Sequence, residues 1–112
     1  MFNKIKNLFN KTPTETAKPV AKTTEIIEGS PKIIMHNNEE IAIFNVKNQF
    51  YAISNTCAHR GGPLGEGTVK DNVVTCPWHM WRYDVTTGKG IMSNASVKKY
   101  ELEIKGEEIF IK

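Results

Sequence analysis

The 112-residue chain is expected to fold as one small all-β domain. Three observations point there. From Glu25 onward the apolar residues come in short runs, each ended by a turn-forming cluster. Near the C-terminus Tyr100, Leu102 and Ile104 alternate with Lys and Glu, the period of a half-buried strand. At this length there is no room for a second core, so the strands must build a single small sandwich or barrel.

The first 24 residues stand apart. Met1 to Asn10 places Phe2, Ile5, Leu8 and Phe9 at helical spacing between lysines and asparagines. A short cationic amphipathic helix over 1–10 would touch a membrane surface or a partner, although ten residues are marginal as a helix in water. A frayed tail is the simpler expectation. Residues 11–24 carry Pro13 and Pro19 and almost no large apolar side chain, which reads as a flexible linker.

Ile26-Ile27 and Ile33 to Met35 are short apolar runs split by Gly29-Ser30-Pro31. Glu40 to Val46 and Gln49 to Ser54 flank Lys47-Asn48 as a hairpin, and Gly67 to Lys70 and Val73 to Cys76 flank Asp71-Asn72 as a second one. Tyr83 to Val85 leads into the turn Thr86-Thr87-Gly88-Lys89. Val97 to Ile104 is expected to pair with Ile109 to Ile111 across Lys105-Gly106-Glu107.

Composition sets outer limits. The chain is 39% hydrophobic and 24% charged, as in ordinary globular domains. No apolar run is long enough to span a bilayer, and no signal-peptide core follows the first lysines. The Asn94-Ala95-Ser96 sequon has no meaning without secretion. The net charge of +3 belongs to the tail: residues 1–24 hold five Lys and one Glu, a balance of +4, and residues 25–112 balance at −1. Nucleic acid is not an expected partner, because the domain offers no basic excess. A near-neutral domain is also expected to dock with weak salt dependence unless the tail takes part.

The chemistry is concentrated in one stretch. Both cysteines and two of the three histidines lie between residues 57 and 79, as C-A-H-R-G-G-P-L and C-P-W-H. One residue separates Cys57 from His59, two separate Cys76 from His79, and residues 60–75 lie between the pairs. Each half offers a thiolate and an imidazole from a tight loop, a two-legged clamp for metal. A structural Zn²⁺ site is one reading, but zinc modules usually space the first pair by two to four residues. A metal-free relic is another. With both cysteines used as ligands, none is left for a disulfide, which fits a cytoplasmic protein.

The full pattern, C-x-H-x-G-x-x-L followed by C-P-x-H, resembles that of the Rieske-type [2Fe–2S] proteins. It is matched by Cys57, His59, Gly61, Leu64, Cys76, Pro77 and His79. The resemblance covers about residues 24–112 and implies a β-sandwich base at 25–112 with an inserted cluster-binding subdomain at about 55–84. It implies one [2Fe–2S] cluster, with Cys57 and Cys76 on the inner iron and His59 and His79 on an outer iron near the surface. Gly61 and Gly62 would let amide groups face the cluster sulfurs, and Pro63 would stiffen the turn.

A mixed ligand set leaves the oxidised centre neutral, so Rieske potentials, about −150 to +300 mV, lie above the roughly −400 mV of plant-type ferredoxins. High-potential relatives add a disulfide between the loops, a Ser donor to a sulfide and a Tyr donor to a ligand Cys. Here those positions hold Gly62 and Trp78, Trp81, and Tyr83, so only the Tyr remains and a low potential is implied. Relatives also cover the cluster with a proline-containing loop. Ile91 to Val97 has no proline, which puts a docking cap in doubt.

Neighbouring residues read more plainly. Trp78 and Trp81 would shield the cluster or pack in the core; Met80 would cap its loop or touch a partner. Asp84 reads as a turn residue and His36 as a surface histidine. The resemblance implies a one-electron carrier between a reductase and an acceptor such as an oxygenase, catalysing nothing alone. A small Rieske-fold subunit of a nitrite reductase is an alternative, although such subunits often lack the ligands. A structural metal-binding adaptor docked through its tail is another. An oxygenase itself is excluded, because its mononuclear iron domain has no room here.

Overall fold

Ile41-Ala42-Ile43-Phe44 is a continuous apolar run, and a strand reads that way when both of its faces are buried. All four residues are at most 1% exposed in the computed structural model, which describes residues 18–112. They lie in the middle layer of three, and the rest of the fold is arranged about them.

In chain order the strands are β1 (Ala21–Lys22), β2 (Lys32–His36), β3 (Glu39–Val46), β4 (Gln49–Ser54), β5 (Thr68–Lys70) and β6 (Val73–Thr75). They continue as β7 (Arg82–Asp84), β8 (Gly90–Ile91), β9 (Lys99–Tyr100), β10 (Leu102–Lys105) and β11 (Glu108–Ile111). All pairings are antiparallel, in three sheets ordered β1-β11-β10, β2-β3-β4-β9 and β5-β6-β7-β8. No helix among the described residues is long and apolar enough to cross a membrane. The all-β expectation holds.

The central sheet serves two cores, one on each face, where a single core was expected at this length. Ile34, Ile41, Ile43 and Ala52 pack with Ala21 and Ile109 of the first sheet and with Ile26. Ala42, Phe44 and Ile53, one residue out of phase, pack with Val74 and Tyr83 of the third sheet, with Val85 in the turn after β7, and with both cysteines. Burying each large aliphatic side chain contributes about 1.5–3 kcal/mol. The third sheet is thus inserted between β4 and β9 and seated on the base by one continuous core, as the inserted subdomain required.

The hairpin turns are chemically explicit. Asn37-Asn38 and Lys47-Asn48 hold both central residues at positive φ, between 52° and 67°, the geometry that matches strand twist in two-residue loops. The Lys47-Asn48, Asp71-Asn72 and Lys105-Gly106-Glu107 turns fall where the sequence placed them. The Asn37-Asn38 hairpin was not foreseen.

Four expectations need correction. Residues 18–24 are not all linker, because Ala21 is 7% exposed and pairs with Ile109 as β1. Two residues joining an edge give too short a pattern to stand out beside two prolines. Ile26-Ile27 is not a strand: Ile26 enters the core after a 3₁₀ turn (Thr23–Glu25), and Ile27 is 64% exposed. Val97 to Ile104 is not one strand. Tyr100 pairs with Ala52 in the central sheet, whereas Leu102 pairs with Ile111 in the first, so the chain changes sheets at Glu101. Finally, the inserted sheet runs past residue 84, since β8 joins β7 through Tyr83 and Gly90. The helix expected over 1–10 and the linker up to residue 17 lie outside the described residues.

Candidate metal centre

Two loops project from this frame, and they are built alike. In the first, the Gly61 N–H donates to the Cys57 carbonyl and the Cys57 N–H to the Gly62 carbonyl, both at 2.8 Å. In the second, the Met80 N–H donates to the Cys76 carbonyl at 3.0 Å and the Cys76 N–H to the Trp81 carbonyl at 2.7 Å. Each cysteine therefore opens a closed turn whose fifth residue must take positive φ, 78° at Gly61 and 64° at Met80. Glycine does this freely, whereas Met80 bears a cost of about 1–2 kcal/mol. Tight turns of this kind hold the cysteine inward and its histidine outward.

The four predicted ligands lie as two pairs, in two layers. Cys57 and Cys76 are 3% and 1% exposed, and their side chains are within hydrogen-bonding reach of each other. His59 and His79 are both exposed, with ring centroids 4.9 Å apart in an edge-to-face arrangement. Among the described residues no three His, Cys, Asp or Glu side chains gather about one point. The donors divide into an inner sulfur pair and an outer nitrogen pair.

The inner pair is tuned by its surroundings. Burial pushes the Cys57 thiol up, but hydrogen bonds from Tyr83, the amides of His59 and Arg60, and Cys76 outweigh it, so its pKa is lowered. The Tyr83 oxygen lies 3.2 Å from Cys57 Sγ and accepts the Ala58 N–H at 3.1 Å, leaving its proton for the sulfur. Burial, then the Cys57 sulfur, push that phenol up to about 12, so it remains a donor throughout the physiological range. The amides that reach Cys57 are those of His59 and Arg60. The Gly61 N–H itself closes the turn, donating to the Cys57 carbonyl.

Gly62 has a different task. A Cβ built there would lie 2.6 Å from Cys76 Sγ and 3.1 Å from the Trp78 ring, so the backbone must pass bare. The pair that a disulfide would join in high-potential relatives is therefore a glycine with an indole resting on it.

Trp81 stacks flat on His59 at 4.3 Å with planes 2° apart, fixing the imidazole plane. Trp78 is 56% exposed and is no core residue. Asp84 accepts from the Thr86 N–H and hydroxyl at 2.9 and 2.6 Å, the turn role expected of it. His36 ends β2 opposite Glu39, outside the site. The proline-free loop is tied at its ends by Gly90 N–H to the Ala95 carbonyl and Val97 N–H to the Gly88 carbonyl, both 2.8 Å.

Asn55 was missed. It is 1% exposed, the one buried polar residue among those described. Its side chain accepts the Gly65 N–H at 2.6 Å and donates to Glu40 at 3.0 Å, and its carbonyl accepts the Leu64 N–H at 2.7 Å. It staples the end of the first ligand loop to β3. Replacing Asn55 with Ala strands the Gly65 amide and should lower stability by about 1–3 kcal/mol, read as an earlier midpoint in urea. An unchanged midpoint would show that the staple is dispensable.

Comparison with known proteins identifies the family. The family model for the Rieske [2Fe-2S] domain matches residues 16–101. The chain is similar to the ferredoxin component of naphthalene 1,2-dioxygenase/salicylate 5-hydroxylase systems from Ralstonia sp, 30% identical over 90 residues, covering 79% of this chain and 86% of that one. The ferredoxin of carbazole 1,9a-dioxygenase from Nocardioides aromaticivorans IC177 superposes with a TM-score of 0.79 at 28% identity, covering 86% and 96% of the two chains. A chain from the complex of reduced oxygenase and oxidized ferredoxin in carbazole 1,9a-dioxygenase superposes with a TM-score of 0.79 at 26% identity, covering 85% and 100%.

The residues fit the group this family carries. Buried thiols with a lowered Cys57, beside exposed imidazoles, offer two chemically different donor pairs, the set that a mixed Cys/His cluster takes. The bare Gly62 backbone keeps the space beside Cys76 Sγ open.

Proposed function

Because the chain belongs to the Rieske [2Fe–2S] domain family, we propose that it is a soluble one-electron carrier serving an oxygenase or another redox enzyme. In this reading Cys57 and Cys76 hold one iron of a single [2Fe–2S] cluster and His59 and His79 the other. The observation that carries it is the layering of the four side chains, thiols within and imidazoles without.

When bound, the cluster takes up and releases one electron. The chain supplies the rest. Burial of both cysteines keeps water from the sulfurs, and donors from Tyr83 and the His59 and Arg60 amides stabilise charge on Cys57. The exposed His59 and His79 give the short path to a partner. Two free cysteines suit a reducing cytoplasm. The intact ligand set disfavours a nitrite reductase small subunit.

The test is single turnover without a reductase. Protein reduced anaerobically and mixed with the oxidised terminal component of a ring-hydroxylating dioxygenase should lose one electron per chain. Protein that holds its electron before every oxygenase component tried would overturn the oxygenase as acceptor, and protein that cannot be reduced by one electron would overturn the carrier assignment.

A further inference from the structure

The near-neutral balance of the domain is a sum over its whole surface, and it does not describe the tip. Residues 57–64, 76–82 and 91–97 form the two ligand loops and the loop beside them. They contain both arginines of the chain, Arg60 and Arg82, and no carboxylate. Neither arginine joins an ion pair among the described residues. The Arg82 guanidinium leans on the Met92 thioether, its Nη2 3.5 Å from Sδ, a contact that leaves its charge uncompensated.

Between and beside the arginines the surface is apolar and wide open. Trp78, Met80 and Met92 are 56%, 69% and 88% exposed, although such side chains usually seek cover. A shallow groove runs past Met80, Arg82 and Met92. Met80 and Met92 are both held at positive φ, 64° and 66°, which turns each outward at a cost in strain. Soft, exposed thioethers adapt to a facing surface, and guanidinium forks match carboxylates.

Resting on the carrier reading above, we propose that this tip docks a redox partner whose facing surface carries carboxylates around an apolar centre. Arg60, next in sequence to His59, and Arg82, next to the Trp81 that stacks on His59, flank the histidines and so take those carboxylates. Trp78, Met80 and Met92 fill the apolar centre. Docking is then steered by charge at the tip, and salt weakens it steeply. This replaces the weak salt dependence expected from net charge alone.

Small redox probes of opposite charge test this without the partner. The cluster-loaded, reduced full chain is mixed in stopped flow with hexacyanoferrate(III), an anion, or with tris(phenanthroline)cobalt(III), a cation. Raising ionic strength from about 10 mM to about 0.3 M contracts screening from about 30 Å to below 10 Å. The anionic rate constant should fall about tenfold and the cationic one should rise. In the R60Q/R82Q double variant the anionic probe at low salt should be slowed at least about fivefold and the cationic one accelerated. A shift in driving force would move both probes the same way, so opposite movement marks tip charge.

Equal salt behaviour for the two probes overturns the proposal. So does a salt effect that survives R60Q/R82Q, since it then belongs to the tail lysines. Failure of the carrier reading looks different: the protein would show no reducible chromophore to follow.

Discussion

Cys57→Ser and Cys76→Ser should each give a colourless protein that contains at most a small fraction of the iron of the unmodified chain. Serine is close in size, so the core about positions 57 and 76 should survive. What is lost is a thiolate, the soft ligand that iron in these clusters requires. Both sulfurs are buried and within reach of each other, and no third cysteine exists to substitute. Visible absorption and iron analysis on purified protein decide the matter. A coloured Ser variant with full iron would refute the ligand assignment.

Gly62→Ala should be nearly as damaging, although it removes no ligand. The added methyl group falls 2.6 Å from Cys76 Sγ, well inside van der Waals contact, and the Trp78 ring behind it blocks retreat. Overpacking of this kind usually costs about 1–3 kcal/mol, and here the displaced atom is itself a proposed ligand. The expected outcome is cluster occupancy reduced several-fold, with a folded domain by circular dichroism. Gly61→Ala is the control. It meets only Thr56 Cγ2 at 3.7 Å, so its cost is the left-handed backbone alone, about 1–2 kcal/mol. Equal occupancy in the two variants would show that Gly62 does not guard the sulfur.

The site was legible in the sequence because its ligands are local. Spacing within C-x-H and C-P-x-H fixes which side chains share a turn, and the structure sets the two imidazoles edge to face and the two thiols within reach of each other. Tyr83 could be named in advance for the same reason, since a family position carries its role. The supports were harder to read. Asn55 looks like any polar residue before a motif, and its burial depends on Glu40 and Gly65, fifteen and ten residues away. Arg60 and Arg82 vanish into a near-neutral total, and only their placement on a tip without carboxylates gives them meaning.

The fold shows the same division. Strong patterns, such as β3 and β4 about Lys47-Asn48, were read to within a residue. Strands of two residues have no period to detect, so β1 and β8 were missed. The alternation at Tyr100, Leu102 and Ile104 was real, but one period cannot show that its first and second residues pair in different sheets. The Asn37-Asn38 turn did carry a signal, because asparagine tolerates positive φ better than most residues.

Redox titration of the anaerobically purified protein, monitored by electron paramagnetic resonance, tests the central claim most directly. The single tyrosine donor to Cys57 and the absence of a disulfide imply a potential near the low end of the Rieske range, about −150 mV. The expected result is a rhombic signal of the mixed His/Cys type that appears on reduction near that value, one electron per chain. The same signal at a strongly positive potential would contradict the ferredoxin-like assignment. No signal, with zinc bound in place of iron, would contradict electron transfer altogether.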